Sequence, residues 1–155
     1  MLYFSLAREP SLGRAWVGVT LSVSRLLKTP GFARWQKKMA LADTALHQAV
    51  REMQLGLIDA DLGGDLVKKR VPRPGAGKSS GYRTILATNK YDRWIFLYGF
   101  AKNEKDNIDP QELLAFKLMA KKLLPLPAKA LQTAIDQGAL KEIPDGEIPD
   151  PPGNA

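Results

Sequence analysis

The sequence predicts an α+β fold: a small antiparallel (mixed) β-sheet of about four strands, with an N-terminal αα-hairpin on one face and a C-terminal helix. Three observations predict it. Two signals for the start of a helix, each a capping residue followed by proline, precede segments with helical spacing of apolar residues. Between those segments lie runs rich in β-branched and aromatic residues. A length of 155 residues with 45% hydrophobic content suits one domain with its own core.

The N-terminal part is predicted to form one strand and two helices after a leader. Residues 1–21 are expected to be a poorly ordered leader, because their apolar patch is too diluted by small and polar residues for a signal peptide. Residues 22–28 follow as a strand. Thr29 as N-cap and Pro30 at the first helical position begin one helix, and Asp43 is predicted to cap the next. Each helix has one apolar stripe, so the pair can cover one face of a sheet.

Three further strands are predicted in the middle of the chain. Residues 59–65 contain two adjacent glycines among three aspartates, which is typical of a turn. Strands are predicted at residues 66–71, 82–88 and 93–102, where β-formers dominate. Strict alternation along the last strand would place four aromatic residues on one face: Trp94, Phe96, Tyr98 and Phe100.

The C-terminal part is predicted to contain two helices and a tail. Asp109 and Pro110 repeat the cap-then-proline signal, and later prolines end that helix. A shorter helix is predicted over residues 128–137. Residues 144–155 are acidic and rich in proline, so we expect them to be disordered. The predicted domain therefore spans residues 22–143.

A concentration of positive charge in the middle of the chain indicates an anionic partner. The formal net charge is +7, and eight Lys and Arg residues between Lys68 and Arg93 face a single acidic residue, Asp92. Clustering of this kind favours nucleic acid. Alternation in the strand at 66–71 puts Lys68 and Arg70 on one face. We expect that face to be the open one, because the valines of the strand suit the helix-covered core.

Several classes of function are excluded by composition and context. The chain has no cysteine, which excludes disulfides, thiolate nucleophiles and cysteine-bound zinc, and fits a cytoplasmic protein. His47 is the only histidine, so a two-histidine nuclease is excluded. No apolar run approaches the roughly 20 residues of a membrane helix, so no membrane partner is predicted. Gly77, Lys78 and Ser79 resemble part of a nucleotide-binding loop, but a proline replaces its first glycine and a strand follows.

Four separated motifs carry a resemblance to a known family. They are K-x-R at 68–70, A-D-L-G-G at 60–64, G-K-S-S-G-Y-R-T at 77–84 and Y-G-F-A-K-N-E at 98–104. Together they resemble the RelE/HigB toxins of bacterial type II toxin–antitoxin systems, within the RelE/ParE superfamily, over residues 26–143. The resemblance implies a toxin that cleaves mRNA, usually in the ribosomal A site. It also implies a cognate antitoxin, expected to be a small helix-turn-helix protein.

The resemblance also assigns candidate site residues. Lys68 and Arg70 match two family cations on a strand, and Arg83 matches the arginine of S-x-G-Y-R. Asn103 and Asp109 stand where RelE itself has an arginine and a tyrosine. The catalytic candidates are Lys68, Arg70, Arg83, Tyr98 and Lys102. The RNA-binding candidates are Lys69, Arg73, Lys78, Ser79, Ser80 and Tyr82.

The chemistry of RNA cleavage explains why these residue types are candidates. The 2′-hydroxyl must lose a proton, the charge that builds on phosphorus must be stabilised, and the departing 5′-oxygen must gain a proton. Arginines stabilise the charge, and a lysine crowded by cations, here Lys68, can move a proton. Tyr98 or Lys102 would make the second transfer, and no metal or other cofactor is needed. Two alternatives remain open: a ParE-like toxin that inhibits DNA gyrase, and a non-catalytic nucleic-acid-binding module.

Overall fold

The structure is a computed structural model that describes residues 24–73, 81–102 and 108–144. In these ranges the chain forms one mixed sheet with helices on both faces, so the α+β class is confirmed. The predicted leader and all of the predicted tail except Pro144 lie outside the described residues. The RNA-binding candidates Lys78, Ser79 and Ser80 also lie outside them.

The sheet has six strands in the described residues, in the spatial order β2-β3-β4-β5-β1-β6. The strand β1 is parallel to β5, and every other neighbouring pair is antiparallel. The bounds are β1 Arg25–Lys28, β2 Ala60–Gly63, β3 Leu66–Val71, β4 Tyr82–Thr88, β5 Arg93–Ala101 and β6 Lys141–Glu142.

Four helices pack on this sheet: α1 Pro30–Lys38, α2 Asp43–Gln54, α3 Pro110–Leu123 and α4 Ala128–Asp136. The start of α1 is as predicted, because the Thr29 hydroxyl accepts a hydrogen bond from the Phe32 backbone N–H at 3.1 Å. Asp109 and Glu112 form a capping box at the start of α3. Within the described ranges, no helix combines the length and apolar character needed to cross a membrane.

The predicted cap of α2 is wrong in detail. Ala42 is the N-cap residue, and Asp43 is the first residue of the helix. The Asp43 carboxylate accepts hydrogen bonds from Gln36 Nε2 at 2.7 Å and Lys28 Nζ at 3.1 Å. It therefore ties α1 and β1 to the start of α2, instead of capping its own helix.

Two apolar cores lie on opposite faces of the sheet. The hairpin face is covered by α1 and α2, and its sheet residues include Val67, Val71, Leu86, Trp94 and Phe96. The α3 face is covered by α3 and α4, and its sheet residues include Leu66, Ile85, Ile95, Leu97 and Phe100. Because both faces are covered, β4 is buried along its whole length.

The prediction of about four strands is wrong because it missed both edge strands. Residues 60–63, predicted as part of a turn, form β2 and pair with β3. Residues 141–142 form β6 and pair with β1. Both strands are short: β2 forms a hairpin with β3 across residues 64–65, and β6 pairs with β1, which is distant in sequence. Composition carries little signal for strands of this kind.

A β-bulge in β5 overturns the prediction of a single aromatic face. Ile85 lies opposite Tyr98 and Leu86 lies opposite Phe96, so Leu97 is an extra residue in β5. Trp94 and Phe96 therefore face the hairpin side. Tyr98 and Phe100 face the α3 side, which is the side where Lys68, Arg70 and Arg83 lie.

Candidate nucleic-acid interface

Strand pairing brings three of the predicted cationic residues together on the α3 face. Arg70 of β3 lies opposite Arg83 of β4, and Lys68 lies opposite Ile85. Paired Cα atoms on antiparallel strands are about 5 Å apart, so the three side chains are close neighbours. We call Lys68, Arg70 and Arg83 the cationic cluster.

Arg83 is the least solvated member of the cationic cluster. It is 8% exposed, and its Nη1 donates one hydrogen bond, to the Gly81 carbonyl at 3.3 Å. A guanidinium has five N–H donors, and no carboxylate in the described residues pairs with this one. A charge removed from water without a counter-charge costs folding free energy. The surroundings of Arg83 are therefore suited to an external anion.

Arg70 is held in place by Asp59, which precedes β2. The Asp59 carboxylate accepts from the Arg70 backbone N–H at 2.7 Å and from Arg70 Nε at 3.1 Å. Burial acts to raise the pKa of Asp59, but these hydrogen bonds and the charges of Lys69 and Arg70 lower it below its usual value. Asp59 thus stays ionised and fixes the guanidinium, whose Nη groups make no bond to the described residues.

Lys68 and Tyr98 lie in one row across the sheet, on either side of Ile85. Lys68 is half-buried and has no hydrogen bond or ion pair within the described part of the chain. The Tyr98 ring packs against Phe100 and Phe116, with centroids 5.8 and 5.3 Å apart. Two strand spacings separate Lys68 from Tyr98, which is about 10 Å.

Lys102 directly follows β5. It is exposed and has no partner among the residues that the structure describes. It continues the strand beyond Ala101, so it lies at the end of the sheet beside the cationic cluster. The structure therefore collects four of the five catalytic candidates on one face and places the fifth at the edge of that face.

Three RNA-binding candidates lie on the opposite side of the sheet. Lys69 is 2% exposed, and its Nζ contacts Glu52 Oε1 and the Leu57 carbonyl, each at 2.8 Å. Tyr82 is buried on the hairpin face, and its hydroxyl donates to the Met39 carbonyl at 3.4 Å. Both side chains serve the core, so the prediction that they contact RNA does not fit their positions.

Arg73 is the third of these candidates and lies on the ring of Tyr82. Its guanidinium carbon is 5.2 Å from the ring centroid, which is cation–π geometry. Its Nε is buried and has no hydrogen-bond partner among the described residues. Arg73 is thus on the hairpin side at the end of β3, away from the cationic cluster.

Sequence reasoning missed Asp59 and overestimated the number of free cations. The sequence places Asp59 in a turn. Only its spacing to β3 could indicate that its carboxylate binds Arg70. Arg93 Nη1 donates to three carbonyls at the C-terminal end of α3, those of Leu123, Leu124 and Leu126, at 2.8–3.1 Å. Lys90 pairs with Asp61 at 2.7 Å. Within the described ranges no three His, Cys, Asp or Glu residues are grouped so that they could hold a metal ion.

Comparison with protein families identifies a match over most of the chain. The protein-family model described as RelE toxin of RelE / RelB toxin-antitoxin system matches residues 24–143. This range contains every strand and helix from β1 to β6 and the whole cationic cluster. A search of curated proteins returned no match to the chain.

Proposed function

Because the chain belongs to the RelE toxin family of toxin–antitoxin systems, we propose that it is a toxin that cleaves mRNA on the ribosome. The observation that carries the proposal is Arg83, which is almost removed from solvent without a carboxylate partner in the described residues. Arg70 and Lys68 lie beside it on the same face. A phosphate of an RNA chain is the anion that this arrangement fits.

The two arginines stabilise the charge of the transition state. As the ribose 2′-oxygen attacks phosphorus, negative charge builds on the non-bridging oxygens. Arg83 and Arg70 can each offer paired N–H donors to those oxygens. Arg70 is already oriented by Asp59, so little reorganisation is needed when the phosphate binds.

Two proton transfers complete the reaction. Lys68, in its neutral form, takes the proton of the 2′-hydroxyl, and the new bond from the 2′-oxygen to phosphorus closes a 2′,3′-cyclic phosphate. The bond to the 5′-oxygen breaks, and that oxygen takes a proton from Tyr98 or Lys102 to leave as a 5′-hydroxyl. Lys68 accepts one proton, Tyr98 or Lys102 donates the other, and the two arginines stabilise the charge, so the proposed reaction uses no metal ion.

We further propose that the cognate antitoxin acts by keeping RNA from the α3 face. The family pairs a toxin with an antitoxin, and an acidic segment would match the charge of the cationic cluster. The toxin would meet both the antitoxin and mRNA in the cytoplasm.

The test is RNA cleavage by the purified protein, alone and with translating ribosomes, with the RNA ends mapped. We expect cleavage by the wild type and a loss of about 100- to 1000-fold on Arg83→Ala, because a charge-stabilising donor is removed. Arg51→Ala is the matched control. It removes one cation from the exposed side of α2, where the Arg51 side chain, within the described residues, donates hydrogen bonds only to Gln48, and should leave the rate unchanged.

Three results would contradict the proposal, and two of them would identify an alternative. Intact mRNA with accumulating gyrase-cleaved DNA would indicate a ParE-like toxin. Salt-sensitive RNA binding without turnover would indicate a non-catalytic binding module. Equal rates for Arg83→Ala and Arg51→Ala would mean that cleavage occurs elsewhere on the protein.

A further inference from the structure

A cleft opens at the edge of β5, next to the cationic cluster. The pairing of β1 with β5 ends at Phe96, so within the described residues 97–101 of β5 have a strand neighbour on one side only. The cleft at this free edge has a volume of about 470 Å³. Five of its lining residues are aromatic: Phe32, Trp35, Tyr98, Phe100 and Phe116. We call it the edge cleft.

The aromatic rings of the edge cleft form a floor and walls. Phe32 and Phe100 are buried and form the floor. Trp35, Tyr98 and Phe116 are half-buried, so part of each ring meets solvent. Trp35 has no room to move further into the protein, because its ring lies directly on the backbone of Gly99. The Trp35 and Tyr82 rings also pack edge to face, with their centroids 5.2 Å apart. The walls are therefore rigid aromatic surfaces.

One wall of the edge cleft belongs to the same face as the cationic cluster. Tyr98 shares a cross-strand row with Lys68, and Phe100 lies opposite Arg83. The bulge at Leu97 produces this arrangement, because without it Tyr98 and Phe100 would point to the hairpin face. A polymer bound to the cationic cluster thus reaches the cleft within about 10 Å, which is two strand spacings.

We propose that the edge cleft binds a base of the RNA, next to the nucleotide whose phosphate lies on the cationic cluster. The inference rests on the proposed function and adds a binding site to it. Half-exposed rings stack on the π-face of any base, and cations beside them hold the phosphate backbone, which is how proteins bind single-stranded nucleic acid. The volume falls in the range of small-ligand pockets. An apolar segment of a protein would use the rings but leave the adjacent cations without a partner.

The chain offers a matched pair of substitutions at the mouth of the cleft. Gly31 is exposed, lines the cleft, and lies in the first turn of α1. A Cβ atom there would meet only Arg34 Nη2 at 3.7 Å and Thr29 Oγ1 at 4.0 Å, which are ordinary contacts. Gly31→Leu therefore partly fills the mouth of the cleft without disturbing the fold. Gly31→Ala makes the same backbone change and leaves the cleft open.

The first measurement is a titration of the full chain with adenosine and uridine 3′-monophosphates, followed by NMR of the indole N–H signals. We expect a saturable shift of the Trp35 signal in the wild type and Gly31→Ala, and about tenfold weaker binding in Gly31→Leu. Trp94, fully buried in the hairpin core, is the internal reference. A wild type without a saturable Trp35 shift, or equal affinity in both variants, would overturn the inference.

The second measurement separates this inference from the proposed function. In the cleavage assay, Gly31→Leu should raise KM about tenfold or change the cut positions relative to Gly31→Ala, which makes the same backbone change. If the wild type cuts RNA and Gly31→Leu cuts identically, the cleft proposal fails and the proposed function stands. If the wild type cuts no RNA, the proposed function fails, and the nucleotide titration alone decides whether the cleft binds a base.

Discussion

The position of Arg83 lowers the stability of the fold in two ways. Its guanidinium is mostly out of water without a carboxylate in the described residues, and Arg70 lies directly opposite it with the same charge. A bound phosphate would reduce both costs, since its oxygens accept hydrogen bonds from both arginines. The position of Arg83 is therefore better explained by what the protein binds than by what holds it together.

Replacement of Arg83 by a long apolar residue tests that explanation. We expect Arg83→Met to raise the free energy of unfolding by about 1 kcal/mol while cleavage is lost, because an unpaired buried charge is exchanged for packing. Urea unfolding followed by circular dichroism measures the stability. A loss of stability greater than about 1 kcal/mol would show that Arg83 supports the fold.

The pKa of Asp59 leads to a prediction of how the stability of the fold depends on pH. Its folded pKa lies below the ordinary 3.8, because the hydrogen bonds and charges of Arg70 and Lys69 outweigh the effect of burial. A carboxyl with a lowered pKa stabilises the fold fully above its unfolded pKa, and that contribution is lost as pH falls through the folded pKa. Asp59→Asn should therefore be less stable than the wild type at pH 7, with the difference shrinking as the pH falls below 3.8 and the Asp59 carboxylate becomes protonated.

The expected size of the Asp59→Asn effect is about 1 kcal/mol at pH 7, below the usual range for hydrogen bonds to charged groups. The reason is that the Arg70 side chain is 44% exposed, so solvent weakens the pair. Asp61→Asn is the comparison: hydrogen bonds from Lys90 and the Gly63 N–H also lower the pKa of Asp61, but at the surface, so we expect a smaller effect. Urea unfolding between pH 2 and 7 measures both variants. Parallel curves for Asp59→Asn and the wild type would contradict the prediction.

At the scale of elements, the β3–β4 pair positions the cationic cluster. Gly81, just before β4, lies against the end of β3: a Cβ atom there would be 2.3 Å from the Val71 carbonyl oxygen and 3.0 Å from the Pro72 Cα. Both contacts are with backbone, so no side-chain movement can relieve them. Only glycine allows this close approach, and Arg83 follows two residues later.

Gly81→Ala should push β3 and β4 apart at the cationic cluster. We expect a loss of about 2–3 kcal/mol in the free energy of unfolding, as for an overpacked core, together with slower cleavage. Gly138→Ala is the matched control: nothing lies within 4 Å of its Cβ position, and its φ of +80° adds only a local backbone cost. If thermal and urea unfolding give equal losses for the two variants, the close approach at Gly81 is not what fixes the strands.

The sequence predicts best those helices and strands whose position is determined by residues close to them in the chain. The start of α1 follows from Thr29 and Pro30, and β3 and β4 have the predicted bounds. The bulge at Leu97 was not predictable, because β5 alternates regularly in sequence and the extra residue is set by pairing with β4. The same is true of β6, which forms against a strand distant in sequence, whereas β2 was missed because its residues also fit a turn.

At the scale of the whole molecule, the net charge of +7 indicates an anionic partner without showing where it binds. In the structure, some cationic side chains are bound by other residues of the fold, and others have N–H groups that can bind a ligand. Ion pairs hold Lys69 and Lys90, and backbone carbonyls accept hydrogen bonds from Arg93. By contrast, one face of the sheet brings together Lys68, Arg70 and Arg83. The sequence predicted all three members of that cluster from alternation and resemblance. It could not predict the role of Lys69, whose partner Glu52 is on α2.

The central claim is that RNA is cleaved through its 2′-hydroxyl beside the cationic cluster. The most direct test removes that single oxygen atom from the substrate. An mRNA is made with one 2′-deoxyribose immediately 5′ of the mapped cut, and the same mRNA with ribose there is the control. We predict that the ribose substrate gives a 2′,3′-cyclic phosphate and a 5′-hydroxyl end, and that the deoxyribose substrate stays intact at that position. Equal cleavage of the two substrates would contradict the account.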